Sequence, residues 1–241
     1  MRLLKLFLCF LIAGSSFLNA QNADRKFVSL HHKNALIEIK TNDGSYQIKP
    51  YSTKIVETSF IPNGEVYNPN SHAVVLKPEN IEFKVTEKEN SIRLSTDGVS
   101  VQITKTPFKI AYFYKNKPLI SERKGYVKNE EFETLDFNLT TNEILYGGGA
   151  RALGMNRRGN RLQLYNLADY GYETHSELMN FTMPLVYSSN LYAVHFDNAP
   201  IGYLDWDSKK ENSLQYETIS ERKTYQVVAG DNWKDLINQY N

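Results

Sequence analysis

The sequence predicts an all-β fold, a large antiparallel β-sandwich over residues 21–230 with a C-terminal helix. Two observations lead there. Apolar and polar residues alternate at period two through most of the chain, which marks strands with one buried and one solvated face. The only good helical stripe stands at the very end. Closely spaced strands of this kind imply two sheets packed on a shared core. No Pro/Ser/Gly-rich linker and no repeat period divides the region.

Each element follows from its own residues. Ile37 and Ile39 alternate with Glu38 and Lys40, and Asn42-Asp43-Gly44 then turns the chain into Tyr46 and Ile48. Ile81, Phe83 and Val85 alternate with charged and hydroxyl residues. Ile92 and Leu94 lead through Asp97-Gly98 to Val99, Val101 and Ile103, and Asp-Gly suits the positive φ angles of a type I′ hairpin turn. Phe108, Ile110 and Tyr112 run up to a polar turn at Lys115-Asn116-Lys117. Later strands are predicted at Tyr192–Asp197, Ile201–Trp206, Leu214–Thr218 and Thr224–Val228, after a less regular connection from Gly154 to Thr182. Long connections of that kind are more often functional than decorative. At the end, Trp233, Leu236, Ile237 and Tyr240 fall on one helical face, with Asp231 or Asn232 as the N-cap and no C-cap signal after Tyr240.

Residues 1–20 have the pattern of a cleaved secretory leader. Arg2 and Lys5 precede the apolar run Leu6 to Ile12, and Ala20 is a small residue before Gln21. The run is too short to span a bilayer, which takes about 20 residues. Secreted or periplasmic localisation is therefore expected, with no membrane association once the leader is removed. Cys9 is the only cysteine and would leave with it, so the mature chain has no thiol or disulfide chemistry. The leader holds two bases and no acids, which leaves 26 Lys+Arg against 27 Asp+Glu. That balance argues against a nucleic-acid partner. The one basic cluster, Arg151, Arg157, Arg158 and Arg161, reads as a solvated or salt-bridged turn.

Several motifs compete for chemistry. Gly147 to Ala152 formally fits G-x-G-x-x-G/A, and Asp169 lies 20 residues beyond Gly149. A dinucleotide site needs an amphipathic helix directly after the glycines, whereas Gly154 to Asn160 is turn chemistry. The glycines are better read as a tight bend. The run Tyr165 to His175 is the best functional candidate, because aromatic faces stack on pyranose rings while carboxylates and amides take paired hydroxyls. Asp169, Tyr170 and Tyr172 are its candidate substrate-binding residues. Nine aromatic residues fall between Tyr165 and Trp206, and of these Phe181, Phe196 and Trp206 read as sandwich core. Glu173, His175 and Glu177 could form an acid–base group or a cation site, but no metal or cofactor is assigned, since ligand spacing is poor and the other histidines are scattered. There is no Gly-x-Ser-x-Gly, and Ser188-Ser189 reads as a turn.

Four of these segments, Leu145–Ala152, Tyr165–His175, Met183-Pro184-Leu185 and Tyr192–Asn198, resemble the N-terminal, galactose-mutarotase-like β-sandwich domain of glycoside hydrolase family 31. The resemblance extends into Asp231–Tyr240 and is weaker but compatible over Lys26–Asn138. One departure is Ala150, where that family often has an acid. The resemblance implies a retaining enzyme acting on α-linked glucosides and oligosaccharides, with both catalytic aspartates on a following (β/α)₈ barrel. No catalytic residue is therefore assigned in this chain, and residues 231–241 read as the start of a connector helix to that barrel. The resemblance also places the Asp169 loop beside the leaving-group sugar. The rival expectation is a self-sufficient sandwich, either a carbohydrate-binding module or a mutarotase-like enzyme using Glu173 and His175.

Overall fold

A computed structural model describes residues 25–33, 35–167, 171 and 181–241. The proposed leader lies outside the described residues. Among those described, the strands are β1 (Phe27–Lys33), β2 (Leu36–Thr41), β3 (Gly44–Pro50), β4 (Ile55–Pro62), β5 (Lys84–Lys88), β6 (Ser91–Ser95), β7 (Val99–Lys105), β8 (Phe108–Tyr114) and β9 (Lys117–Lys128). They continue as β10 (Glu133–Asn138), β11 (Leu145–Gly149), β12 (Asn160–Leu164), β13 (Thr182–Ser188), β14 (Tyr192–Phe196), β15 (Gly202–Trp206), β16 (Ser213–Thr218) and β17 (Thr224–Ala229), followed by helix α1 (Trp233–Tyr240).

The strands form two antiparallel sheets. Sheet A has the order β1-β2-β3-β4-β17-β14-β13-β11, and sheet B the order β12-β15-β16-β10-β9-β8-β7-β6-β5. The predicted alternation explains the core between them. Ile37, Ile39, Tyr46 and Ile48 of sheet A face Ile92, Leu94, Val101 and Ile103 of sheet B, all fully buried. Burying one such side chain is worth roughly 1.5–3 kcal/mol.

Local rules misplace some elements for identifiable reasons. The β6–β7 hairpin is present, but neither Asp97 nor Gly98 takes a positive φ. Gly98 is needed because a Cβ there would lie 2.1 Å from the Thr53 carbonyl oxygen. Paired positive φ angles occur instead at Lys115 (48°) and Asn116 (65°), between β8 and β9. The strand expected from Ile81 starts only at Lys84, since Ile81 N–H donates to Glu79 O in a turn. Strand β12 lies inside the stretch read as a connection. Strand β4 shows no alternation because both its faces are covered: Val56 and Phe60 enter the inter-sheet core, while Ile55 joins a second apolar cluster on the outer face.

A polar belt crosses the core. Thr58 and Tyr225 hydroxyls of sheet A each lie 2.7 Å from the Tyr112 hydroxyl of sheet B. Tyr225 OH donates to Glu122 Oε1 at 3.0 Å and Tyr46 OH to Glu122 Oε2 at 3.2 Å. Arg25 completes the belt, donating to Tyr46 OH at 2.6 Å while pairing with Asp43 at 2.7 Å. A bulge in β9 sets Glu122 in this position, because Phe137 pairs with Glu122 while adjacent Asp136 pairs with Gly125.

Helix α1 closes the outer face of sheet A. Asn232 is the N-cap, its side chain accepting from Asp235 N–H, and Asp235 in turn accepts from Asp231 N–H. Leu236 is fully buried, and Tyr240 packs edge-to-face on Tyr187 and His195. Trp233 meets Tyr146 in the same way, but Trp233 and Ile237 remain 41% and 45% exposed. Asp231 accepts from Lys115 in the β8–β9 turn of sheet B and from Lys54 in the β3–β4 turn of sheet A. Its hydrogen bond from Lys115 leads the causes that hold its pKa down at about 2. No helix among the described residues is long and apolar enough to cross a membrane.

Candidate functional site

The glycine triplet shapes the corner from which the candidate loop departs. Gly147, Gly148 and Gly149 all have positive φ, at 114°, 76° and 83°. Gly148 also packs under Trp206, whose Cη2 would lie 2.6 Å from an added Cβ. Among the described residues β11 leads into turns and then β12 with no helix directly after it, so a pyrophosphate has no helix N-terminus to face there.

The arginine cluster holds this corner together. Arg157 Nε donates to Gly147 O at 3.3 Å, and its Nη1 to Leu153 O at 2.9 Å and Gly154 O at 2.8 Å. Arg151 Nε donates to Gly148 O at 3.2 Å, and Nη2 to Gln163 O at 2.5 Å. Burial lowers the pKa of both, and for Arg151 the nearby Arg157 charge adds to it. Arg158 pairs with Asp207 at 2.8 Å. Arg161 pairs with Glu217 and lies over the Tyr203 ring at 3.6 Å. Salt bridges thus account for Arg158 and Arg161, as the sequence implies. Arg151 and Arg157 are buried and bonded to backbone carbonyls, which the sequence does not reveal.

The loop itself starts after β12, on the edge of sheet B, and returns into β13 of sheet A. Its two arms are clamped at the root. Asn166 Oδ1 accepts from Thr182 N–H at 2.7 Å and from Thr182 Oγ1 at 2.9 Å, and Ala150 N–H donates to Phe181 O at 2.8 Å. Asp169, Tyr170 and Tyr172 lie outside the described residues, as do Glu173, His175 and Glu177. What is described is the apolar surface on the segments leaving this corner: Leu153, Met155, Tyr165, Leu167 and Phe181 are all exposed. Phe181 therefore corrects the core assignment, because it sits at the loop root before β13 begins. Phe196 and Trp206 are fully buried in the core as expected.

The sequence also misses the Asn166–Thr182 clamp, whose partners are 16 residues apart with no local pattern between them. Ser188 ends β13 and opens the turn expected at Ser188-Ser189, Leu191 N–H donating to its carbonyl at 3.0 Å. Its hydroxyl donates to buried Glu143 at 2.5 Å. The Tyr192 hydroxyl donates to the same carboxylate. These contacts tie β13 and β14 to the turn that precedes β11.

Comparison with known proteins places this architecture. Residues 45–205 match the glycosyl hydrolase 31 N-terminal galactose mutarotase-like domain. The chain is 24% identical over 221 residues to alpha-glucosidase 2 of Bacillus thermoamyloliquefaciens, covering 87% of this chain and 27% of that protein. Among solved structures it superposes on a GH31 dextranase of Flavobacterium johnsoniae complexed with glucose, with a TM-score of 0.83 and 22% identity, over 90% of this chain and 28% of that one. A cycloalternan-forming enzyme from Listeria monocytogenes, in complex with a pentasaccharide substrate, gives a TM-score of 0.74 at 16% identity, over 89% of this chain and 21% of that one. The chain thus spans about a quarter of the length of these relatives. With the sandwich, the glycine corner and the domain match in agreement, the chain belongs to the glycosyl hydrolase 31 N-terminal galactose mutarotase-like domain family.

Proposed function

We propose that the chain is the N-terminal, non-catalytic domain of a secreted, retaining α-glucosidase-like enzyme acting on α-linked glucosides and oligosaccharides. In this reading residues 21–230 brace a following (β/α)₈ barrel, residues 231–241 begin the connector to it, and the Asp169–Tyr172 loop reaches the substrate pocket. The domain match over residues 45–205 carries the reading. The names of the relatives, an alpha-glucosidase and a dextranase, support the substrate class. The exposed faces of Trp233 and Ile237 support a covering partner. Retention would use two carboxylates roughly 5–5.5 Å apart, one attacking the anomeric carbon and one serving as acid and then base, both on the barrel.

Two measurements test this. Residues 21–241 alone should release no 4-nitrophenol from an aryl α-glucoside. Turnover that survives repurification and is lost in Glu173→Gln or His175→Ala would instead support a self-sufficient enzyme. In an enzyme that includes the barrel, Asp169→Ala or Tyr170→Ala should weaken oligosaccharide use about tenfold more than aryl glucoside hydrolysis, the equivalent of about 1.4 kcal/mol at the leaving-group sugar. Equal losses on both substrates would reduce the loop to a structural brace. Export is a separate expectation: N-terminal sequencing of the exported protein should begin at or near Gln21, and intact Met1 in the cytosol would refute it.

A further inference from the structure

A cavity lies on the outer face of sheet A and shares no residue with the loop root. Residues 73–79 run beside α1 on this face, leaving a cleft of about 480 Å³. That volume is within the usual range for small-molecule sites. Ile55, Val74, Leu76 and Val228 line it with apolar surface.

The cleft also meets a chain of buried polar side chains whose donors and acceptors can be assigned in turn. Lys49 Nζ lies 3.6 Å from Glu57 Oε1, and Tyr51 OH donates to Glu57 Oε2 at 3.1 Å. The Gln226 amide nitrogen donates to the same Oε2 at 2.8 Å. The Gln226 amide oxygen is thereby turned toward His195 Nδ1, at 3.0 Å. An amide oxygen only accepts, so Nδ1 carries the proton, and in the neutral ring Nε2 is left as an unprotonated acceptor. No hydrogen bond to Nε2 is made among the described residues, and His195 lines the cleft while being only 6% exposed. Burial holds the imidazole pKa below its ordinary value, opposed by Asp197, which favours the neutral ring.

We propose that this cleft binds a neutral polyhydroxylated ligand, a sugar, with one hydroxyl donating to His195 Nε2. A neutral imidazole fixed as an acceptor suits a hydroxyl and offers nothing to an anion. The apolar walls suit the C–H face of a pyranose, and Glu79, Asn238 and Gln239 at the rim supply further polar partners. A metal fits less well, because no group of three or more His, Cys, Asp or Glu among the described residues is placed to hold one. The choice of a sugar rests on the substrate class proposed above, whereas the fixed acceptor does not.

The test is a titration of the full chain with glucose and with maltotriose, read in heteronuclear long-range correlation spectra of the imidazoles. The free protein should show His195 as the Nδ1–H tautomer. Sugar should shift its Nε2 resonance saturably, with a Kd on the order of 1 mM. His195→Phe should weaken binding roughly tenfold, the effect of one lost hydrogen bond of this kind. Because that change touches a buried strand, Asn238→Ala on the exposed side of α1 provides a second variant, and it should weaken binding about threefold. An Nε2–H tautomer, no shift at saturating sugar, or unchanged affinity in both variants would overturn the proposal. Asp169→Ala should leave the titration unchanged; a loss there would assign the binding to the loop instead.

Discussion

Gly148→Ala is expected to destabilise the sandwich by about 2–5 kcal/mol, combining left-handed backbone strain with overpacking. The residue has φ +76°, and its new Cβ would sit 2.6 Å from Cη2 of Trp206, a fully buried side chain. Gly154→Ala serves as the control, since its Cβ would meet nothing within 4 Å and it has no positive φ. That variant should stay within about 0.5 kcal/mol of the parent in urea unfolding. Combining Gly148→Ala with Trp206→Phe should cost less than the sum of the two single changes, because both act on one contact. Equal midpoints for the Gly148 and Gly154 variants would show that the corner is not tightly packed.

Glu122 should make stability fall as pH rises through neutrality. Burial leads the causes that push its carboxyl pKa up to about 7, with Arg25 and the Tyr225 and Tyr46 hydroxyls opposing it. A pKa raised in the folded state means that the folded chain holds this proton more tightly than the unfolded one. The contribution is fully present below about pH 4.5 and is lost as pH passes 7. Its size is about 3 kcal/mol at 1.36 kcal/mol per unit. Asp43 and Asp231 act in the opposite sense, their depressed pKa values favouring the fold above the ordinary carboxylate range and losing that effect in acid. His195, its pKa lowered by burial, titrates in the same window with the opposite sign. The difference between parent and variant in urea unfolding between pH 5 and 8 therefore isolates the Glu122 contribution. Glu122→Gln should remove that fall from the profile, and an unchanged slope would exclude Glu122 as its source.

Sequence pattern reveals the elements whose environment is one-sided. Ile37/Ile39, Val99–Ile103 and Leu214–Thr218 each have a core face and a polar face, so alternation locates them. Strand β4 does not, because its outer face joins an apolar cluster with Val74 and with Leu236 and Tyr240 of α1. Turn chemistry names the hairpins but not their geometry: Asp97-Gly98 responds to the Thr53 carbonyl, and Lys115-Asn116 takes the left-handed pair. At the candidate loop, composition points to the segment, and the clamp from Asn166 to Thr182 emerges only in three dimensions. The tautomer of His195 is equally hidden, since Glu57, His195 and Gln226 come from three strands.

The position of β17 has a consequence for how the chain is made. Strands β1 to β4 form consecutive hairpins, yet β4 reaches the rest of sheet A only through β17, with Ser59 and Thr224 bonded across 165 residues. As the polypeptide leaves the ribosome, β4 and β14 each wait with one unpaired edge until residues 224–229 emerge. Contacts this distant in sequence form slowly, and open edges invite pairing with other chains in the interval. Sheet A thus stays in two parts, linked only through sheet B, until its last strand is delivered, and residues 231–241 follow at once to cover the seam.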